Sequence, residues 1–264
     1  MRPIKNRDPR CIAPHQIDRK NRMASLGRIA NLTLRRAPLQ TTLVTELGRR
    51  AASTYSIDLS GKTAFIAGVA DSRGYGWAIA KNLAQAGCRV IVGTWPVVLG
   101  PFKKQLETAE GFGKDQELEN GEQFKIEKMY PLDLGFSTES EIPPKVLQSK
   151  YYAGLSGFDI RSVAQKVKQD YGSIDFLVHS VANGPEVSKP LLQVSRQGYL
   201  AASSASAYSL IAMVQEFGPI LNKGGGVVSI SYVAAAQVSK AKSTLSFLRY
   251  GLGLNAPCAI ILRA

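Results

Sequence analysis

Three glycines fall within nine residues in Gly68-Val69-Ala70-Asp71-Ser72-Arg73-Gly74-Tyr75-Gly76. Glycines at such a corner let the backbone approach a pyrophosphate, and a helix opening there presents unpaired N–H groups and its positive dipole end to the phosphates. Alone, a Gly-x5-Gly-x-Gly string carries little weight; it gains weight by following a strand and opening a helix. A second candidate corner is Gly93-Thr94-Trp95. Dinucleotide-binding folds usually place an acid there for the adenosine ribose. Here an indole stands instead, suited either to pack on adenine or ribose or to fill a half-buried core position. Asp133 has two readings as well, accepting from an adenine amino group or capping a turn. The third corner is His179-Ser180-Val181-Ala182-Asn183-Gly184-Pro185. With no serine nucleophile elbow and no acid partner beside it, His179 reads as a hydrogen-bonded structural residue rather than a catalyst.

These corners need strands to carry them. The apolar run over 62–68 suits a buried parallel strand, 76–87 has helical spacing and a glycine stop, and 89–94 is a second strand. A helix is expected over 102–109, and a third strand over 128–133 that Pro131 must end or bulge. A long polar excursion fills 135–157. Asp159 then caps a helix whose Ile160, Val163, Val167 and Tyr171 share one face. A fourth strand is expected over 174–179, a small-residue helix over 199–220 and a fifth strand over 226–232. Strands alternating with helices predict an α/β fold, a Rossmann-like doubly wound parallel sheet.

Composition bounds the rest. The chain has 264 residues, 45% hydrophobic and 20% charged, with 33 Lys+Arg against 20 Asp+Glu and a net charge of +13. With 24 glycines and ordinary aromatic content it is neither disordered, collagen-like nor a disulfide scaffold, and no stretch approaches the ~18 apolar residues of a membrane span. Cys11, Cys88 and Cys258 are far apart and form no metal-ligand pattern. Residues 1–57 hold twelve basic side chains and three acids, so +9 of the +13 sits there and +4 in the remainder. An Arg-rich, acid-poor, hydroxylated N-terminus reads as an organellar transit peptide, with a disordered basic arm as the alternative. Nothing resembles an aromatic-interleaved RNA-binding module. The expected organisation is residues 1–57 as transit peptide or arm, 58–236 as a dinucleotide-binding reductase domain and 237–264 as a divergent tail.

Together these pieces resemble the short-chain dehydrogenase/reductases, and specifically the plastid enoyl-acyl carrier protein reductases of plants. The resemblance covers residues 57–236. It rests on the wide glycine spacing from Gly68 to Gly76, on Val92-Gly93-Thr94-Trp95, on Tyr130-Pro131-Leu132-Asp133, and above all on the run from Gly172 through His179-Ser180-Val181-Ala182-Asn183-Gly184-Pro185 to Leu192. It implies NADH-dependent reduction of a trans-2-enoyl thioester on acyl carrier protein in fatty acid synthesis, within the chloroplast. By the same resemblance Gly68, Gly74 and Tyr75 would touch the pyrophosphate, Trp95, Leu132 and Asp133 the adenine, and Ser180, Val181 and Ala182 the nicotinamide half. No arginine follows the second strand to bind a 2′-phosphate.

The C-terminal part departs from the family. Tyr232 matches an auxiliary active-site tyrosine, and it is the one catalytic position carried over. The family's Tyr-x6-Lys pair, expected ten and seventeen residues further on, is replaced by Lys242 and Arg249. From about residue 237 the substrate loop and the sixth and seventh strands are missing, so the sheet is expected to be incomplete at its C-terminal edge. The family's homotetramer is then in question. Impaired or absent turnover is the expectation, with a non-catalytic cofactor-binding remnant that associates with intact subunits as the alternative.

Overall fold

A computed structural model describes residues 57–108, 112–186, 188–231 and 259–263. Residues 1–56, nearly all of the expected transit peptide or arm, lie outside the described residues, as do Tyr232 and most of the expected divergent tail.

Strand β1 (Thr63–Ala67) is buried at all five positions. Its side chains alternate between two cores: Phe65 and Ala67 enter one, Ile66 the other. A strand covered on both faces needs this uninterrupted apolar run. Helix α1 (Tyr75–Gln85) returns the chain to β2 (Arg89–Thr94). Helix α2 (Pro96–Glu107) leads toward β3 (Lys128–Pro131). After the excursion, which contains the single turn α3 (Pro144–Leu147), come α4 (Ile160–Tyr171) and β4 (Ile174–His179). Helices α5 (Arg196–Ser203) and α6 (Ser209–Phe217) precede β5 (Leu221–Ile230), and β6 spans Ala259–Arg263.

The sheet order is β3-β2-β1-β4-β5-β6, and the first five strands are parallel. This is the expected doubly wound sheet. Ile160, Val163 and Val167 of α4 and Met213 and Phe217 of α6 pack on Phe65, Ile91 and Leu177 on one face. Trp77 of α1 and Phe102 of α2, with Phe112 and Phe124, pack on Ile66, Val90, Val92 and Val178 on the other. Trp77 stacks on Phe112 with ring centroids 4.7 Å apart. Among the described residues no helix is long and apolar enough to cross a membrane.

Several expectations change. Helix α2 starts at Pro96, six residues before the expected start, because proline's fixed φ suits a first helical position. The single helix expected over 199–220 starts at Arg196, where the Ser195 hydroxyl accepts the Gly198 N–H. It is then interrupted by a π-helical turn, Ser204–Tyr208. Strand β5 begins at Leu221, ahead of its glycine run, and a register shift between Ile174 and Phe176 of β4 absorbs the extra residues. The tail also contributes a strand that was not expected. It is β6, which pairs antiparallel with β5 over Ala259–Arg263.

Candidate functional site

In an open α/β sheet the ligand crevice lies beyond the carboxyl ends of the strands, where the strand order reverses. Here that point falls between β1 and β4, which are adjacent although three crossovers and two strands separate them in sequence. Gly68 follows β1 and Ser180 follows β4. A Cβ on Gly68 would stand 2.2 Å from the Ser180 carbonyl oxygen, and the Gly68 φ of +96° also disfavours any side chain. Gly93, one residue before the end of β2, is equally confined: a Cβ there would lie 2.5 Å from the Leu132 side chain.

The backbone closes around this point. Ser180 N–H donates to Ala67 O at 2.9 Å, Gly68 N–H to Gly93 O at 2.9 Å and Leu132 N–H to Thr94 O at 2.9 Å. The buried Thr94 hydroxyl donates to Val69 O at 2.8 Å, tying the second strand's end to the glycine corner. Asp71 then shapes the turn, accepting the N–H groups of Arg73 and Gly74 at 2.7 Å each. Helix α1 begins at Tyr75 behind Gly74, with no side-chain cap and no acid in its first turn. Its first N–H groups have no intrahelical partner and its dipole favours an anion.

A cavity of about 310 Å³ opens over these strand ends. Of the residues expected to bind a cofactor, Gly68, Trp95, Leu132, Asp133, Ser180, Val181 and Ala182 line it together. Gly74 and Tyr75 are not among its lining residues. They form the start of α1, and Tyr75 is 76% exposed. Tyr232 lies outside the described residues.

Trp95 and Asp133 meet in one hydrogen-bonded cluster at the ends of β2 and β3. Asp133 does form a turn, its Oδ1 accepting the Gly135 N–H at 2.9 Å, and its Oδ2 accepts the Tyr152 hydroxyl at 2.5 Å. Trp95, 40% exposed, donates from Nε1 to the Tyr152 oxygen at 3.1 Å, with a longer approach of 3.4 Å to Asp133 Oδ2. Burial, then the Asp133 carboxylate, push the Tyr152 phenol well above its ordinary range, so it remains a donor at neutral pH. Sequence reading missed Tyr152. The available signal was an aromatic pair, Tyr151-Tyr152, in an otherwise polar excursion.

At the other end the serines act as clamps. The Ser206 hydroxyl accepts the Asn183 N–H at 2.8 Å and donates to Asn183 O at 2.7 Å, which holds the loop after β4 against the π turn. His179 is 1% exposed and bridges Ser209 through Nε2 at 2.8 Å and Ser229 through Nδ1 at 3.1 Å. Since Ser209 gives its own proton to Ala205 O, we assign the ring proton to Nε2. His179 thus ties β4, β5 and α6 together, as its structural reading anticipated.

The residues present fit a dinucleotide: two glycines that let the strand ends pack closely beneath the cavity, a helix N-terminus without acids for the pyrophosphate, and lining groups of both polar and apolar character spread along the strand ends.

Comparison with known proteins agrees with this geometry. The family model described as Enoyl-(Acyl carrier protein) reductase matches residues 157–253. Enoyl-[acyl-carrier-protein] reductase [NADH] 1, chloroplastic, of Oryza sativa subsp. japonica is 52% identical over 179 residues, which is 68% of this chain and 48% of that protein. The chloroplastic enoyl-[acyl-carrier-protein] reductase [NADH] of Arabidopsis thaliana is 49% identical over 189 residues, 72% of this chain and 48% of that protein. The crystal structure of the Plasmodium berghei enoyl-acyl-carrier-protein reductase superposes with a TM-score of 0.68 at 42% identity, covering 72% of this chain and 66% of that one. The chain spans about half the length of the curated relatives it matches. With a glycine corner, a switch-point cleft and this similarity in agreement, the chain is a homologue, over about 70% of its length, of the chloroplastic NADH-dependent enoyl-[acyl-carrier-protein] reductases of plants.

Proposed function

We propose that the domain binds NADH along the cleft and serves the reduction of trans-2-enoyl thioesters carried on acyl carrier protein. The observation that carries this reading is the contact between Gly68 and Ser180 at the reversal of strand order, where a Cβ would collide at 2.2 Å. Gly68 and Gly74, whose own N–H groups are taken by Gly93 O and Asp71 Oδ1, would let the pyrophosphate approach the backbone, and the first N–H groups of α1, from Tyr75 on, would hold it. Trp95, Leu132 and Asp133 would hold the adenine, and Ser180, Val181 and Ala182 the nicotinamide half. When bound, NADH would supply the hydride that adds to the β-carbon of the enoyl thioester. The chain's part is to orient that transfer, exclude water and stabilise the negative charge that develops on the thioester oxygen. Tyr232 is the one family active-site tyrosine present at its expected offset. The basic segment 1–57 would direct the protein to the chloroplast, as the names of its plant relatives suggest.

One observation favours a second reading, cofactor binding without turnover. The offsets of the family's Tyr-x6-Lys pair hold Lys242 and Arg249. An ammonium is no substitute for a neutral phenol donor, and a guanidinium differs in shape from the ribose-binding lysine. Titrating the full chain with NADH, then following NADH absorbance with crotonyl thioester, separates the readings. Oxidation supports the reductase, binding without oxidation supports the second reading, and no binding overturns both.

A further inference from the structure

The long excursion after β3 has no counterpart in the simple strand-helix alternation, yet both its ends close on Asp133. The Asp133 N–H donates to Phe158 O at 2.8 Å, and its carboxylate takes the Gly135 N–H at one end of the excursion and the Tyr152 hydroxyl near the other. Tyr152 is 8% exposed and packs against Phe158, with ring centroids 4.9 Å apart and the rings tilted by 60°. The excursion is thus a loop tied at its neck to a residue that lines the cavity.

We infer that Tyr152 is a positioning and specificity residue of this pocket, holding Asp133 and Trp95 in a fixed frame that selects a purine bearing an exocyclic amino group. The inference rests on the proposed adenine end of the cofactor site. A carboxylate offers about four lone-pair positions. In Asp133 one takes Gly135 N–H, and one takes the Tyr152 hydroxyl, with the Trp95 N–H at longer range on the same oxygen. What is left is acceptor capacity only, suited to an N–H donor and hostile to a carbonyl oxygen. Trp95 commits its sole donor to Tyr152, so it offers a ligand apolar ring surface on which a base can stack. Tyr152 contributes without being among the cavity-lining residues. It fixes which atoms of the other two side chains remain available.

The test compares NADH with reduced nicotinamide hypoxanthine dinucleotide, in which a ring carbonyl replaces the adenine amino group. Dissociation constants are measured by nicotinamide fluorescence on the full chain, unmodified and as Tyr152→Phe. The unmodified chain is expected to prefer NADH roughly tenfold, the scale of one hydrogen bond to a charged acceptor. Tyr152→Phe, which keeps the ring on Phe158, is expected to reduce that preference to about threefold or less while the thermal unfolding midpoint moves little. An unchanged preference in a folded Tyr152→Phe that binds NADH overturns the inference and leaves the cofactor reading standing. Equal affinity of the unmodified chain for the two dinucleotides overturns it without any variant. Failure of the unmodified chain to bind NADH overturns the cofactor reading and the inference with it.

Discussion

The two ends of the cleft are built differently. At the Trp95 end the working groups are side chains from three separate parts of the chain, the ends of β2 and β3 and the excursion, meeting in one hydrogen-bonded cluster. At the Ser180 end they are backbone groups, packed against the glycine corner and clamped from behind by His179 and Ser206. Side-chain clusters can change without disturbing the sheet, whereas a backbone floor cannot. Substitutions at the first end should therefore act on affinity, and those at the second on stability and affinity together.

Gly68→Val is the strongest attempt to break that contrast. It puts a branched side chain where even a Cβ meets Ser180 O at 2.2 Å and Val181 Cγ2 at 2.6 Å, at a φ of +96°. A loss of about 3 kcal/mol or more is expected, read by denaturant unfolding, together with loss of NADH binding. His179→Ala should follow at about 3 kcal/mol, from a cavity plus two buried hydroxyls deprived of a partner; chemical denaturation measures it. Asp133→Asn sharpens the other side. It should weaken NADH binding about tenfold in a fluorescence titration while unfolding shifts by no more than about 1 kcal/mol. Ser206→Ala removes both hydrogen bonds to the Asn183 backbone and should cost about 1–2 kcal/mol, with a parallel loss of affinity if the floor is one unit.

The smallest effect lies at the opposite edge of the sheet and serves as a control. Burial would raise the Asp175 carboxyl, but the Thr63 N–H, Asn222 and Lys62 outweigh it and hold the group below its ordinary 3.8. A depressed folded pKa contributes stability that is present above the unfolded value and lost as pH falls through the folded one. Unfolding followed from pH 6 to 3 should therefore steepen below about pH 4, and Asp175→Asn should flatten that limb without altering NADH affinity at neutral pH.

Much of this site was legible from local pattern. Strands β2 and β4 fall on the expected residues, 89–94 and 174–179, because two-sided burial writes itself as an apolar run. Asp159 caps α4 as its position suggested, accepting the Ser162 N–H at 3.0 Å. Seven expected cofactor residues converge on one cavity because each lies just beyond the carboxyl end of a strand, and these ends share one edge of a parallel sheet. What escaped depends on long-range partners. Tyr152 has no periodicity to announce it, and its partner Asp133 is nineteen residues away in sequence. The glycine run of β5 hides its first half, since strand propensity says nothing of a neighbour that bulges to meet it. The π turn leaves no compositional mark, and β6 is a strand only because β5 offers an edge.

The central claim is that the strand ends around Gly68 and Ser180 form a cofactor cleft, and an equilibrium titration of the full chain with NADH tests it most directly. The account predicts saturable binding at one site per chain, weakened about tenfold by Asp133→Asn. A folded chain that shows no saturable NADH binding, or whose binding is indifferent to Asp133→Asn and to Gly68→Val alike, would contradict it.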